Sequence, residues 1–132
     1  MRIIYLVMAL ALFSCEESKE KELEVETPKR TVLFDTINGV ATEYYPSGKV
    51  KIQGELNPKG ERNGKWTVYS EDGLELNYTF FRDGLRHGHS FTAYPNGAPF
   101  YYGDYENDKM VGEWRTYDTE GKYTIKDYGQ PE

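Results

Sequence analysis

The stretch Tyr101-Tyr-Gly-Asp-Tyr-Glu-Asn-Asp-Lys-Met-Val-Gly-Glu-Trp-Arg-Thr-Tyr-Asp-Thr-Glu-Gly121 decides the fold, because it is one copy of a unit that recurs along the chain. Its central glycine, Gly112, follows Gly88 and Gly64 at equal intervals, and the interval from Gly39 to Gly64 is one position longer. A second glycine stands nine positions after each of these four, at Gly48, Gly73, Gly97 and Gly121. Recurrence at a nearly fixed period indicates a repeat architecture.

The segments between these glycines are typical of short β-strands. They are rich in aromatic and β-branched residues and are bounded by turn dipeptides such as Asp72-Gly73, Asp83-Gly84 and Asn96-Gly97. We predict strands at 31–37, 41–45, 50–56, 66–70, 75–81, 90–94, 100–105, 114–117 and 123–128. Short, evenly spaced strands pair with their sequence neighbours. The expected fold is therefore all-β, an antiparallel β-meander of repeated hairpins forming one elongated, twisted sheet.

The repeat resembles a known family. Tyr101-x-Gly103-x-Tyr105, a turn at Asp108, and then Gly112 with Trp114 are similar to the membrane occupation and recognition nexus (MORN) pattern. The copies that carry Trp66 and Trp114 are more similar to the bacterial MORN-variant form, often described as antitoxin-like, than to the eukaryotic form. The resemblance covers roughly residues 38–128. It implies a repeat sheet but says little about function, because this repeat occurs with many unrelated activities.

Residues 1–14 have the pattern of an export signal. Arg2 supplies a positive charge, and the apolar run at 3–13 is too short to span a bilayer. Leu12-Phe13-Ser14-Cys15 resembles the bacterial lipobox, which implies that Cys15 is lipidated and becomes the new N-terminus. The alternative is an ordinary secretory signal beside a stray thiol. Cys15 is the only cysteine in the chain, so it cannot form an internal disulfide.

Three segments are expected: a signal peptide at 1–14, the lipidated Cys15 with a charged tether at 15–30, and the repeat domain at 31–132. The tether is rich in Glu and Lys and contains no aromatic residue, so a flexible coil or a marginal helix would both act as a spacer. Several acyl chains on one cysteine hold a protein on a membrane stably. By family analogy, Glu16 after the cysteine implies transfer to the outer membrane, and the acidic start at 15–20 resembles surface-export signals of some lipoproteins. The expected location is therefore the outer membrane or cell surface, reached by the general secretory route.

The predicted core is one aromatic-rich face of the sheet. Stepping by one repeat brings Leu56, Phe81 and Tyr105 into register, with Ile52, Asn77 and Tyr101 on the same face, and Trp66 and Trp114 are expected to be buried with them. Gly54 and Gly103 occupy equal places on this face. They either leave room for a neighbouring ring to lie against the backbone or form a shallow groove for a peptide or acyl chain.

The sequence contains few groups that could support chemistry. His87 and His89 form a conceivable metal pair, but two ligands are too few and no further cysteine is present. No nucleophile elbow or phosphate-binding loop appears, so we expect neither an enzyme nor a cofactor nor a metal site. The net charge of −6 argues against nucleic-acid binding. Two three-residue glycosylation signals, Asp35-Thr36-Ile37 and Asn77-Tyr78-Thr79, are short enough to arise by chance.

These observations predict a non-catalytic binding or scaffolding module with an envelope protein as its partner. The hypothetical binding residues are all aromatic: Tyr44, Tyr69, Tyr94, Tyr117, Trp66 and Trp114. The open sheet edge near 123–128 is the expected site of strand addition by the partner. The alternatives are an immunity or antitoxin-like inhibitor of a partner toxin and a structural spacer without a specific ligand.

Overall fold

A computed structural model describes residues 34–130 of the chain. The predicted signal segment, Cys15 and the tether lie outside the described residues. Nine strands form one antiparallel sheet in sequence order, which confirms the predicted all-β meander. They are β1 Phe34–Ile37, β2 Val40–Tyr44, β3 Val50–Leu56, β4 Arg62–Tyr69, β5 Glu75–Arg82, β6 Leu85–Ala93, β7 Pro99–Glu106, β8 Lys109–Tyr117 and β9 Tyr123–Asp127. Residues 34–130 contain no helix long and apolar enough to cross a membrane.

The turns at the two ends of the sheet are of different kinds. At one end, tight two-residue turns have positive φ at both positions, as type I′ hairpins require: Asn38-Gly39, Asp83-Gly84 and Asn107-Asp108. At the other end, five-residue turns at 45–49, 70–74, 94–98 and 118–122 are each closed by two backbone hydrogen bonds. The loop at 57–61 has this second hydrogen-bond pattern but lies at the first end, which accounts for the extra residue in the first repeat interval.

The recurring glycines 64, 88 and 112 mark bulges inside strands rather than turns. Each has a positive φ and lies where the strand register shifts. Around Gly88, for example, three residues of β5 (79–81) lie opposite five of β6 (86–90). The predicted strand starts at 66, 90 and 114 were therefore too late, since β4, β6 and β8 begin four or five residues earlier. A residue that adopts positive φ at no steric cost serves a bulge as well as a turn.

Strand pairing assigns side chains to two faces, because partners across antiparallel strands point to the same side. One row, which we call the tryptophan face, contains Ala41, Gly54, Trp66, Thr79, Ser90, Gly103 and Trp114. The opposite row, the tyrosine face, contains Thr67, Tyr78, Phe91, Tyr102, Arg115 and Ile125. Ala41, Trp66 and Trp114 are buried, so most of the small core lies on the tryptophan face, as predicted. The other predicted core residues on this face are only half-buried: Ile52, Leu56, Asn77, Phe81, Tyr101 and Tyr105.

Candidate binding surfaces

Each tryptophan lies directly on the backbone of a glycine in the preceding strand. A Cβ atom built on Gly54 would lie 2.2 Å from Cδ2 of Trp66, and one on Gly103 would lie 2.3 Å from Cδ2 of Trp114. This contact confirms that the glycines leave room for a neighbouring ring. The alternative of an open groove at these two glycines is wrong, because the indoles fill the space. Trp66 and Trp114, two of the hypothetical binding residues, expose only 8% and 4% of their surface.

The third copy replaces this tryptophan–glycine pair by two small polar residues. Thr79 and Ser90 occupy the equivalent places, and their hydroxyl oxygens are 2.8 Å apart in a buried hydrogen bond. The two tryptophan–glycine pairs are therefore two copies apart, with the threonine–serine pair between them. The structural unit of this sheet is thus a pair of copies, with the two members of each pair packed differently.

Two tyrosines tie one copy to the next. The hydroxyl of Tyr94 donates to the carbonyl oxygen of Tyr117 at 2.8 Å, and the hydroxyl of Tyr45 donates to the carbonyl oxygen of Tyr69 at 2.7 Å. The hypothetical binding residue Tyr94 is thus half-buried with its polar atom engaged. Tyr45 is its true equivalent, although the sequence interpretation chose Tyr44. The two turns share the sequence Tyr-Pro-x-Gly, at 45–48 and 94–97, and this motif identifies Tyr45 and Tyr94 as equivalent residues.

Aromatic side chains run across the tyrosine face from β5 to β9. Ring centroids are 5.5 Å apart for Tyr78 and Phe91, 6.0 Å for Tyr102 and Tyr117, and 5.4 Å for Tyr117 and Tyr123. Of the hypothetical binding residues, only Tyr117 lies in this row. Tyr44, at the end of β2, and Tyr69, at the end of β4, lie on the same face but outside this row. The Tyr44 hydroxyl donates to an Asp35 carboxylate oxygen at 3.2 Å.

Arg115 organises the part of this row that lies nearest β9. Its Nη1 donates to the Tyr102 hydroxyl at 2.9 Å, and its guanidinium carbon lies 5.7 Å and 5.6 Å from the rings of Tyr102 and Tyr123. The hydrogen bond from Tyr117, assisted by Arg115, lowers the pKa of Tyr102. The same tyrosine–tyrosine hydrogen bond raises the pKa of Tyr117. The cluster therefore presents a cation and phenol hydroxyls on a half-exposed surface.

His87 and His89, the conceivable metal pair of the sequence, both lie in β6. His89 Nδ1 lies 3.1 Å from an Asp104 oxygen, and its ring is 6.1 Å and 5.9 Å from the rings of Tyr78 and Tyr102. In the part of the chain that the structure describes, no three His, Cys, Asp or Glu side chains are grouped to hold a metal ion.

The Asn77 sequon is built into the sheet. Its side-chain amide, the group to which an N-linked glycan would attach, donates to the Phe91 carbonyl oxygen at 3.0 Å and to Thr92 Oγ1 at 2.7 Å. In the folded protein this nitrogen therefore links β5 to β6.

These features define a class of protein: an open β-meander built from repeated hairpins, with glycine bulges at Gly64, Gly88 and Gly112. The MORN repeat variant family matches residues 37–57, which span the first copy from the end of β1 through β3. The chain thus contains a MORN-type repeat, and the later copies repeat its antiparallel hairpin with a five-residue turn. No curated protein matches the chain. MORN repeats are generally non-catalytic and suggest a protein-binding or scaffolding module.

Proposed function

We propose that this chain is a non-catalytic protein-binding or scaffolding module of the cell envelope, exported as a lipoprotein and anchored to the outer membrane or cell surface through Cys15. The MORN match supports the binding role. The lipobox resemblance at 12–15 supports the anchor, since a lipidated cysteine and a charged spacer would hold the sheet near the membrane.

One observation carries the binding proposal: the exposed outer side of β9. Among residues 34–130, β9 has a single sheet neighbour, β8. All of its residues are exposed, and Tyr123 and Ile125 retain 54% and 48% of their surface. A strand with one free side offers backbone donors and acceptors to an incoming strand.

The orientation of the β9 amides identifies which groups a partner would use. The Tyr128 N–H donates to the Gly112 carbonyl at 2.9 Å and so points towards β8. Amides alternate along an antiparallel strand, so those of Lys126 and Thr124 point the same way while that of Ile125 points outwards. A partner strand would therefore pair with Ile125 and with the residues two positions on either side.

The tyrosine face supplies side-chain contacts beside this edge. Tyr117, Tyr123 and Ile125 lie on that face at the β8–β9 end of the row. An added strand would extend the aromatic row, because its residues facing the same way would lie next to those of β9. Backbone pairing and apolar contact are thus available together at one place.

The test of the proposed function is chemical cross-linking in intact native cells. An epitope tag placed in the predicted tether keeps β9 unobstructed, and cross-linked proteins are identified by mass spectrometry. We expect one stoichiometric envelope protein, and we expect its capture to be lost with Cys15→Ala, which cannot be lipidated. Capture of nothing above background, with the chain still at the membrane, would refute the binding role.

Two substitutions at one residue separate strand addition from side-chain contact. Ile125→Pro removes an outward N–H without removing a bond to β8, whereas Ile125→Ala keeps that N–H and removes most of the side chain. We expect proline to abolish capture and alanine to weaken it, with both variants keeping the β-sheet circular dichroism spectrum. Unchanged capture by the proline variant would exclude this edge.

A further inference from the structure

The tryptophan face carries a groove between β2, β3 and β4 that no predicted feature explains. Its volume is about 290 Å³. Ala41, Ile52 and Leu56 line it together with Trp66, and Arg62, Glu43 and Gly60 complete the lining. The site is mostly apolar with two charged groups, which is the usual composition of a small ligand site.

The second pair of copies shows what fills this space elsewhere in the same sheet. Tyr101 and Tyr105 stand where the first pair has Ile52 and Leu56. Their ring centroids lie 5.9 Å and 4.9 Å from that of Trp114. Because Ile52 and Leu56 are smaller than the tyrosines at the equivalent positions, the groove beside Trp66 lies where the second pair carries two aromatic rings.

The tryptophans themselves are held in matching surroundings. Trp66 meets Phe81 edge-on at 6.4 Å, and Trp114 meets Tyr128 edge-on at 6.5 Å. The indole N–H of Trp66 donates to the Glu55 carbonyl at 2.9 Å, as that of Trp114 does to the Asp104 carbonyl at 3.1 Å. The two indoles are thus held alike, and the sites differ in what surrounds them, above all in the missing rings and in the charge at the rim.

Arg62 gives the groove a cation that no carboxylate neutralises within residues 34–130. Its guanidinium carbon lies 4.4 Å from the Trp66 ring centroid. Arg86 is the equivalent of Arg62 one copy later; it lies over the Tyr105 ring and forms an ion pair with Asp108 at 2.9 Å. The residue that stands in the place of Asp108 for Arg62 is Gly84, which has no carboxylate.

The acidic group of the groove is already paired. Glu43 accepts a hydrogen bond from Lys51 at 2.6 Å, which offsets its charge. The rim therefore favours an anion locally, although the chain as a whole carries a charge of −6.

We propose that this groove binds an aromatic side chain adjacent to a carboxylate on the partner protein. The ring would lie against Trp66 and Leu56, in the space that Tyr105 fills in the second pair, and the carboxylate would pair with Arg62. The proposal rests on the proposed protein-binding function and names the chemistry that one of its surfaces recognises.

The two tryptophans provide a built-in reporter and control. Isotope-labelled full chain in detergent micelles is titrated with N-acetyl-tyrosine, which has a free carboxylate, and with N-acetyl-tyrosinamide, which does not. We expect the Trp66 indole N–H resonance to shift saturably while that of Trp114 stays fixed, with millimolar affinity for the carboxylate probe. The amide should bind about fivefold more weakly, as expected for loss of a partly exposed ion pair. No Trp66 shift, or equal shifts of both indoles, would overturn the proposal.

The site is tested by substituting into the first pair of copies the residues that stand at the equivalent positions of the second pair, since the same sheet already accommodates them. Ile52→Tyr introduces the residue found at position 101 and should fill the groove and abolish binding of both probes. Arg62→Met introduces the residue found at position 110 and should remove the preference for the carboxylate probe while leaving binding of the amide. As the matched control, Tyr101→Ile should leave the response at Trp66 unchanged. Unaltered binding by Ile52→Tyr would contradict the assignment.

Cross-linking of the same variants separates this proposal from the proposed function. If neither probe binds but the native chain still captures an envelope partner, the groove is refuted and the binding function stands. If the probes bind as described but native cells yield no captured partner, the groove chemistry stands and the envelope-scaffold function is refuted.

Discussion

Replacing Gly103 by alanine should destabilise the sheet far more than an alanine in a strand normally would. The new Cβ would lie 2.3 Å from Cδ2 of Trp114, with two further indole atoms within 2.6 Å. Backbone atoms carry the Cβ and cannot move aside, so the indole must leave its site. The backbone angle φ at Gly103 is not positive, so alanine meets no conformational strain of its own.

The expected cost follows from the burial of Trp114, which exposes only 4% of its surface. Expelling such a ring approaches the loss seen for truncating a buried tryptophan, about 3–5 kcal/mol, and a partial shift costs about 1–3 kcal/mol. Alanine also lowers the conformational entropy of the unfolded chain, which stabilises the folded state by about 0.4–1 kcal/mol and offsets part of this loss. We therefore expect a decrease of about 3 kcal/mol in the free energy of unfolding.

A double-mutant cycle in urea, followed by circular dichroism, measures this coupling. Gly103→Ala should cost about 3 kcal/mol in the native background and close to nothing when Trp114 is already alanine. The third copy supplies a rescue, since Gly103→Thr with Trp114→Ser recreates the Thr79–Ser90 pair and should be more stable than Gly103→Thr alone. An equal cost of Gly103→Ala in both backgrounds would refute the argument that the indole excludes a Cβ.

Two further predictions concern single contacts. Tyr94→Phe leaves the Tyr117 carbonyl without its 2.8 Å donor and should lower the free energy of unfolding, measured in urea, by about 1 kcal/mol. Tyr45→Phe should have the same effect, because it removes the matching hydrogen bond to the Tyr69 carbonyl. A neutral result at both sites would show that water replaces the hydroxyl. The hydrogen bond from Arg86 lowers the pKa of Asp108, so its contribution is fully present above the ordinary carboxyl pKa of about 3.9 and is lost as the pH falls through the lowered value. The difference in urea midpoint between native protein and Asp108→Asn should therefore close at strongly acidic pH, and a difference that persists there would point to the turn conformation instead of the ion pair.

Strand number and order could be predicted from the sequence because repeat period and turn chemistry both depend on local residues. The strand starts could not be located by treating every recurring glycine as a turn residue. Gly88 follows the Asp83-Gly84 turn by four positions, too close for a second reversal, so the strand had to begin at Leu85. The bulge is visible in the sequence only when these two glycines are weighed together.

The surface was harder to predict than the fold. The burial of Trp66 and Trp114 follows from their size and from the glycines one strand earlier, and this could be predicted. The bond from Tyr94 to the Tyr117 carbonyl depends on how a side chain crosses a turn, which spacing alone does not define. The same holds for the row through Tyr78 and Tyr102, since the two extra residues of each bulge change which positions become neighbours.

The alternation between tryptophan–glycine and serine–threonine pairs determines the steps by which such a sheet can change length. A chain shortened or extended by a whole pair of copies keeps each indole opposite a glycine. A change of one copy with its boundaries at Gly64, Gly88 or Gly112 sets an indole against the Cβ of a threonine such as Thr79, or leaves a glycine such as Gly103 with only a serine to cover it. Gain or loss of repeats at these boundaries should therefore proceed by two copies at a time.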